Sequence, residues 1–161
     1  MSTSPGIPGD WFSKFGREAF RLEIPGEHGS DWPEEYRTGA WSRVVMAARR
    51  AGKRMYRVHV VTRPLGACVE GDLQWGLIRH VQAGEEYYVL DVTEQENPVA
   101  GVPEFWLFDG GTVATPRYAG DGAYLGVDFP EAGEAARFRA YRDAAMARAV
   151  PFEEWWAKYG G

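Results

Sequence analysis

The stretch Glu104-Phe105-Trp106-Leu107-Phe108-Asp109-Gly110-Gly111 constrains the fold of this chain more than any other. Four successive large apolar side chains leave no position in a strand for solvent. The run is too short for a buried helix, so it predicts a central strand covered on both faces. Asp-Gly-Gly supplies the left-handed conformations of a tight hairpin, so Asp109 is expected to set the turn rather than perform chemistry. Beyond the turn, Thr112 to Tyr118 reads as a second strand, with Pro116 suited to an edge or a bulge. Gly120-Asp121-Gly122 turns again into Ala123 to Phe129. Three strands joined by short turns form an antiparallel meander.

The other elements are arranged around this meander. Asp10 caps an expected helix from Trp11 to Arg21, with Trp11, Phe12, Phe15, Ala19 and Phe20 inward and Arg21 outward. A helix is expected over Trp41 to Ala51, closed by Gly52, and an alternating strand over Arg54 to Arg63. On that strand Tyr56, Val58, Val60 and Thr62 face one way, and Arg57, His59, Val61 and Arg63 the other. A helix over Val69 to Gln82, a strand over Glu86 to Val92, a helix from Pro130 to Val150 and a last turn over Phe152 to Tyr159 complete the set. The fold class is α+β: a mostly antiparallel sheet with the meander in its C-terminal part, flanked by four to five helices. Residues 1–9, rich in Ser, Pro and Gly, form a flexible N-terminus, and 10–161 a single domain.

Charge narrows the functional classes. The net charge of −5 argues against a globally basic nucleic-acid binder. It hides a bipolar layout, however: Tyr36 to Val69 holds eight basic residues and no acidic one, whereas Glu70 to Asp109 holds nine acidic residues and one basic. Local nucleic-acid contact through residues 36–69 therefore stays open. Cys68 stands alone, so neither a disulfide framework nor a cysteine-rich zinc site is expected, and a reducing cytoplasm is the natural setting. No apolar run is long enough for a membrane span. His28, His59 and His80 fall at no metal-ligand spacing, and no phosphate loop, dinucleotide fingerprint or serine elbow occurs, so neither metal nor cofactor is expected.

Arg57, His59 and Arg63 are the sharpest candidate for chemistry. Alternate residues of a strand share a face, and an Arg-His pair could hold a phosphate and move a proton. The competing expectation is that these cations pair with Glu85, Glu86 and Asp91 once the following strand lies alongside. Around them Arg49, Arg50, Arg54, Trp75 and Tyr88 complete a candidate ligand or partner surface. An aromatic pocket formed by Trp75, Tyr88 and Trp106 would indicate a small-molecule site. Trp155 and Trp156 either dock on the body or anchor a partner.

Three segments carry a resemblance: Arg57-Val58-His59-Val60-Val61 followed by Pro64; Ala83-Gly84-Glu85; and Phe105-Trp106-Leu107-Phe108-Asp109. Together they resemble an actinobacterial, Streptomyces-type family, the domain of unknown function numbered 6879, over nearly the whole chain. The family tends to an acidic residue where Arg63 stands, and to a Tyr followed by an Arg in the helix beginning near Cys68. The resemblance implies company with small helix-turn-helix regulators or a toxin–antitoxin-like system, and names no catalytic residue. The first expectation is therefore a cytoplasmic accessory protein that binds a protein partner. The alternatives are a small metal-independent RNase-like or nucleotide-acting enzyme using the basic strand, and a small-molecule-binding domain of a biosynthetic or defence cluster.

Overall fold

The computed structural model describes residues 2–4, 7–8, 14–24, 40–66, 78–120 and 124–160. Ser2–Ser4 (β1) and Ile7–Pro8 (β2) pair as a small antiparallel ribbon. The body is a seven-stranded mixed sheet built from Glu18–Glu23 (β3), Arg54–Val61 (β4), Glu86–Asp91 (β5), Phe105–Phe108 (β6), Thr112–Tyr118 (β7), Tyr124–Asp128 (β8) and Val150–Pro151 (β9). Its order is β8-β7-β6-β3-β4-β5-β9. β3, β4 and β5 run parallel to their neighbours within that trio, and the other four pairings are antiparallel. The helices are Ala40–Arg50 (α1), Ile78–Ala83 (α2), Ala135–Arg148 (α3) and Phe152–Tyr159 (α4), with a 3-10 turn over Ala132–Glu134 before α3. The architecture is α+β, as the sequence predicts.

The meander forms as expected. Asp109 (φ 54°) and Gly110 (φ 68°) both adopt left-handed conformations, and Gly111 N donates to Phe108 O at 3.0 Å, which closes the β6–β7 hairpin. All four β6 residues are buried. Pro116 sits where it does no harm. The β6 ladder reaches only Ala114, so Pro116 pairs only with Val127 of edge strand β8, next to a bulge at Arg117/Tyr118.

One expectation fails. The helix proposed for Trp11 to Arg21 lies partly outside the described residues, and its second half is β3, the centre of the sheet. Glu18 to Glu23 satisfies both periodicities at the level of apolar residues. The strand wins because both of its faces are covered: Phe20 and Leu22 pack on one side, and Ala19 and Arg21 are buried on the other. Arg21, expected to point into solvent, is 1% exposed.

Each sheet face has its own cover. On one, Phe138 and Ala145 of α3 meet Phe20, Leu22, Tyr56, Val58, Leu90, Phe105 and Leu107. The Phe105 and Phe138 rings meet edge to face at 4.9 Å, and each such buried side chain contributes about 1.5–3 kcal/mol. On the other face, Val45 and Ala48 of α1 pack on Ala19, Met55, Trp106 and Phe108. α1 ends as its Gly52 predicts. Gly52 N donates to Arg49 O and Lys53 N to Ala48 O, the pairing of a Schellman motif. Phe152 and Trp155 of α4 close the β5 end of that face against Val61, Tyr87 and Val89, so Trp155 docks on the body. The expected helix over Val69 to Gln82 is seen in its last turns as α2, and the remainder lies outside the described residues.

Candidate functional site

The register of the central strands explains how a charged layer comes to lie inside the protein. Paired residues in neighbouring strands project from the same face. Trp106, Arg21, Arg57 and Tyr87 are successive partners across β6, β3, β4 and β5, so they form one row on the α1 face. Two guanidinium groups are flanked by two rings: Arg21 lies 5.2 Å from the Trp106 centroid and Arg57 4.8 Å from that of Tyr87. In the next row, Glu23 partners His59.

Carboxylates close this layer from both ends. Arg21 Nη2 donates to Glu104 Oε1. Arg57 Nε donates to Glu85 Oε2 at 2.5 Å, and its Nη1 to Glu23 Oε2 at 3.0 Å. The same Glu23 oxygen lies 2.8 Å from His59 Nε2. Arg21, Arg57, His59, Glu85 and Glu104 are all buried. Burial pushes the Glu23 carboxyl up, but His59, Arg21 and Arg57 outweigh it and hold the group well below the usual carboxylate range. Desolvating such ions costs several kcal/mol each, so the layer persists only because every charge meets an opposite one. The His59 ring stacks on Tyr87 at 5.7 Å, and its Nδ1 has no hydrogen-bond partner among the described residues. A carboxylate-oriented imidazole with one free nitrogen is chemically able to take or give a proton.

The three residues singled out on the basic strand do not stay together. Arg57 and His59 belong to the buried layer. Arg63 follows the end of β4 and has other partners: its Nε donates to Asp91 Oδ2 at 2.6 Å and its guanidinium lies 3.9 Å from the Tyr159 centroid. Arg54 points to the opposite face, over Tyr56 at 3.8 Å, and makes a two-pronged pair with Glu86 at 2.7 and 2.9 Å. Tyr88 is on that face too, its hydroxyl donating to Glu86. Arg49 and Arg50 are exposed on α1. The anticipated single surface is thus divided among two sheet faces, a helix and an edge. The pocket imagined from Trp75, Tyr88 and Trp106 does not form as drawn, because Tyr88 and Trp106 occupy opposite faces and Trp75 lies outside the described residues.

Of the ion pairing expected for Arg57, His59 and Arg63, the pairs Arg57 with Glu85 and Arg63 with Asp91 form, whereas His59 meets Glu23 of β3 and Glu86 is taken by Arg54 on the other face. Sequence reasoning missed Arg21, Glu23 and Glu104. Arg21 falls in the segment read as a helix, and Glu23 in the short stretch after it that is given no element. Glu104 stands directly before the apolar run, and a carboxylate abutting a fully buried strand was the available signal. Among the described residues no group of three or more His, Cys, Asp or Glu side chains is placed to hold a metal ion.

The fold is similar to that of Nuc from Salmonella typhimurium, a phospholipase D family member, with a TM-score of 0.53 at 10% sequence identity over 87% of this chain and 84% of that one. No curated protein matches the chain. The profile of the domain of unknown function DUF6879 matches residues 9–157, which include the buried Arg21–Glu23–Arg57–His59 layer and the Phe105 to Asp109 strand, and the chain belongs to that family.

Proposed function

We propose that the protein is a cytoplasmic accessory protein that acts by binding another protein, a small helix-turn-helix regulator being the partner its family resemblance points to. The observation that carries this reading is the internal compensation of the basic strand. Arg57 is held by Glu85 and Glu23, His59 by Glu23, and Arg63 by Asp91. A phosphate would have to displace a carboxylate from each cation in turn. The charge layer serves as scaffold, and recognition falls to exposed groups such as Arg43, Arg49 and Arg50 on α1. Among the described residues no helix is long and apolar enough to cross a membrane.

The test is co-expression with helix-turn-helix regulators of the same host, followed by purification and an RNA-cleavage assay. A stoichiometric complex, weakened by Arg49→Glu/Arg50→Glu and inactive on RNA, supports the reading. RNA cleavage that is lost in a folded His59→Ala variant replaces it with the second reading, a small metal-independent nuclease. One observation favours that alternative: His59, oriented by Glu23, keeps Nδ1 without a partner among the described residues. At 10% identity the likeness to a phospholipase D family member carries no residue role across.

A further inference from the structure

Where β5, β9 and α4 meet, the protein holds an open cleft of about 340 Å³. That is near the lower end of ligand clefts, which span roughly 300–1,000 Å³, so it suits a small molecule. Its floor is apolar, made by Val89, Val150 and the buried indole of Trp155. One wall is already fixed. Asp91 Oδ1 accepts from Thr93 N at 3.0 Å and Thr93 Oγ1 at 2.6 Å, while Oδ2 accepts from Trp155 Nε1 at 2.9 Å and Arg63 Nε at 2.6 Å. Four donors leave Asp91 a saturated anchor, and the Arg63 guanidinium lies over the Tyr159 ring, 3.9 Å from its centroid.

The opposite wall is charged. Among the described residues Arg148 reaches only the Glu96 carbonyl, at 3.3 Å, and Lys158 only the Tyr159 ring, at 5.2 Å. Glu154 lines the same cleft without an ion pair among the described residues, although it stands four positions before Lys158 on α4. At that spacing Glu and Lys ordinarily meet on a helix surface. Glu94, 80% exposed, is held only by a long ion pair to Arg63 at 3.9 Å among the described residues. Arg148 and Lys158 therefore face the same cavity as Glu154 with no ion pair between them among the described residues.

We propose that this cleft binds a small zwitterion of the free amino-acid type, its carboxylate taken by Arg148 and Lys158, its ammonium by Glu154 and Glu94, and an apolar side chain resting on Val89, Val150 and Trp155. A ligand carrying both charges meets both sets of partners at once, whereas a simple anion or cation meets one set and faces like charge in the other. The site uses none of the β4 layer and is independent of the accessory-protein reading.

The Trp155 indole N–H lies in the floor and reports occupancy by nitrogen-15 NMR. L-Leucine is titrated beside 4-methylpentanoate, which lacks the ammonium, and isopentylamine, which lacks the carboxylate. The expected result is a saturable shift with L-leucine, at least tenfold weaker binding of either fragment, and loss of the shift in Arg148→Ala/Lys158→Ala and in Glu154→Gln. These residues are exposed, so the variants are expected to keep the wild-type circular dichroism and melting temperature. The proposal is overturned by no shift with L-leucine, L-phenylalanine, L-glutamate or L-lysine, by a shift that survives in the variants, or by a fragment binding as tightly as the amino acid.

Discussion

Glu23 Oε2 stands where Arg57 Nη1 and His59 Nε2 converge, at 3.0 and 2.8 Å. That geometry makes stability depend on pH with a definite sign. The folded carboxyl titrates well below its ordinary value of 4.5, because His59, Arg21 and Arg57 together outweigh the opposing effect of burial. A carboxylate with a depressed folded pKa stabilises the fold fully above its unfolded pKa, and that contribution disappears as pH falls toward the folded value. Glu23→Gln is thus expected to melt well below wild type at pH 7, with the gap narrowing steadily below about pH 4.5. Thermal melts of both proteins between pH 7 and pH 3 check this. A gap that stays constant across the range would show that Glu23 acts through packing and hydrogen bonding rather than charge. Truncating Arg57 is harsher, since it removes the buried guanidinium that Glu85 and Glu23 share, and removing one partner of a buried pair costs about 3–5 kcal/mol. Arg57→Ala is expected to lower the melting temperature severely, and Arg57→Met, which keeps the volume, less so.

At the scale of elements, Asp109 links the first hairpin of the meander to the centre of the sheet. Its carboxylate accepts from Gly16 N at 2.7 Å, Arg17 N at 2.7 Å and Glu18 N at 3.0 Å, holding the chain that enters β3. It does so from a backbone at φ 54°, which Asp and Asn adopt at lower cost than Ala. Asp109→Ala should therefore cost about 2–3 kcal/mol, and Asp109→Asn roughly half, since it keeps the conformation and one acceptor but loses the charge. Urea unfolding of the two variants measures the difference, and equal losses would mean that backbone strain contributes nothing. The turn half of this role was legible, because Asp-Gly chemistry acts over four residues. The bonds to Gly16, Arg17 and Glu18 span more than ninety positions and leave no local mark. The same distinction explains β3. Nothing near Arg21 in sequence tells that its carboxylate partner is Glu104, 83 residues away, so an arginine beside Phe20 reads as the solvent face of a helix. For Arg57 and Arg63, by contrast, a partner sits at or beside the next strand in the chain, and alternation alone anticipated Glu85 and Asp91, but not Glu23 of β3, which holds Arg57 and His59.

Across the whole molecule the sheet has two unlike edges. β9 is two residues long, ends in Pro151, and runs directly into α4, which packs on β5, so that edge offers little to a further strand. β8 runs for five residues and among the described residues pairs only with β7, with Leu125 57% and Phe129 45% exposed on it or beside it. The centre is the opposite case: β3 is bonded on both sides, parallel to β4 and antiparallel to β6, and its side chains reach both cores. Such a strand opens only when the whole domain does, whereas a one-sided edge opens locally. Native-state hydrogen exchange should consequently show β3 amides exchanging at the global unfolding limit and β8 amides at least about a hundredfold faster. Because the register that aligns Trp106, Arg21, Arg57 and Tyr87 runs through β3, slow exchange there would also mean that the charged layer stays assembled in every native fluctuation. If β8 proves as protected as β3 at micromolar concentration and loses that protection on dilution, the edge is occupied by a second chain and the sheet is continuous across a dimer.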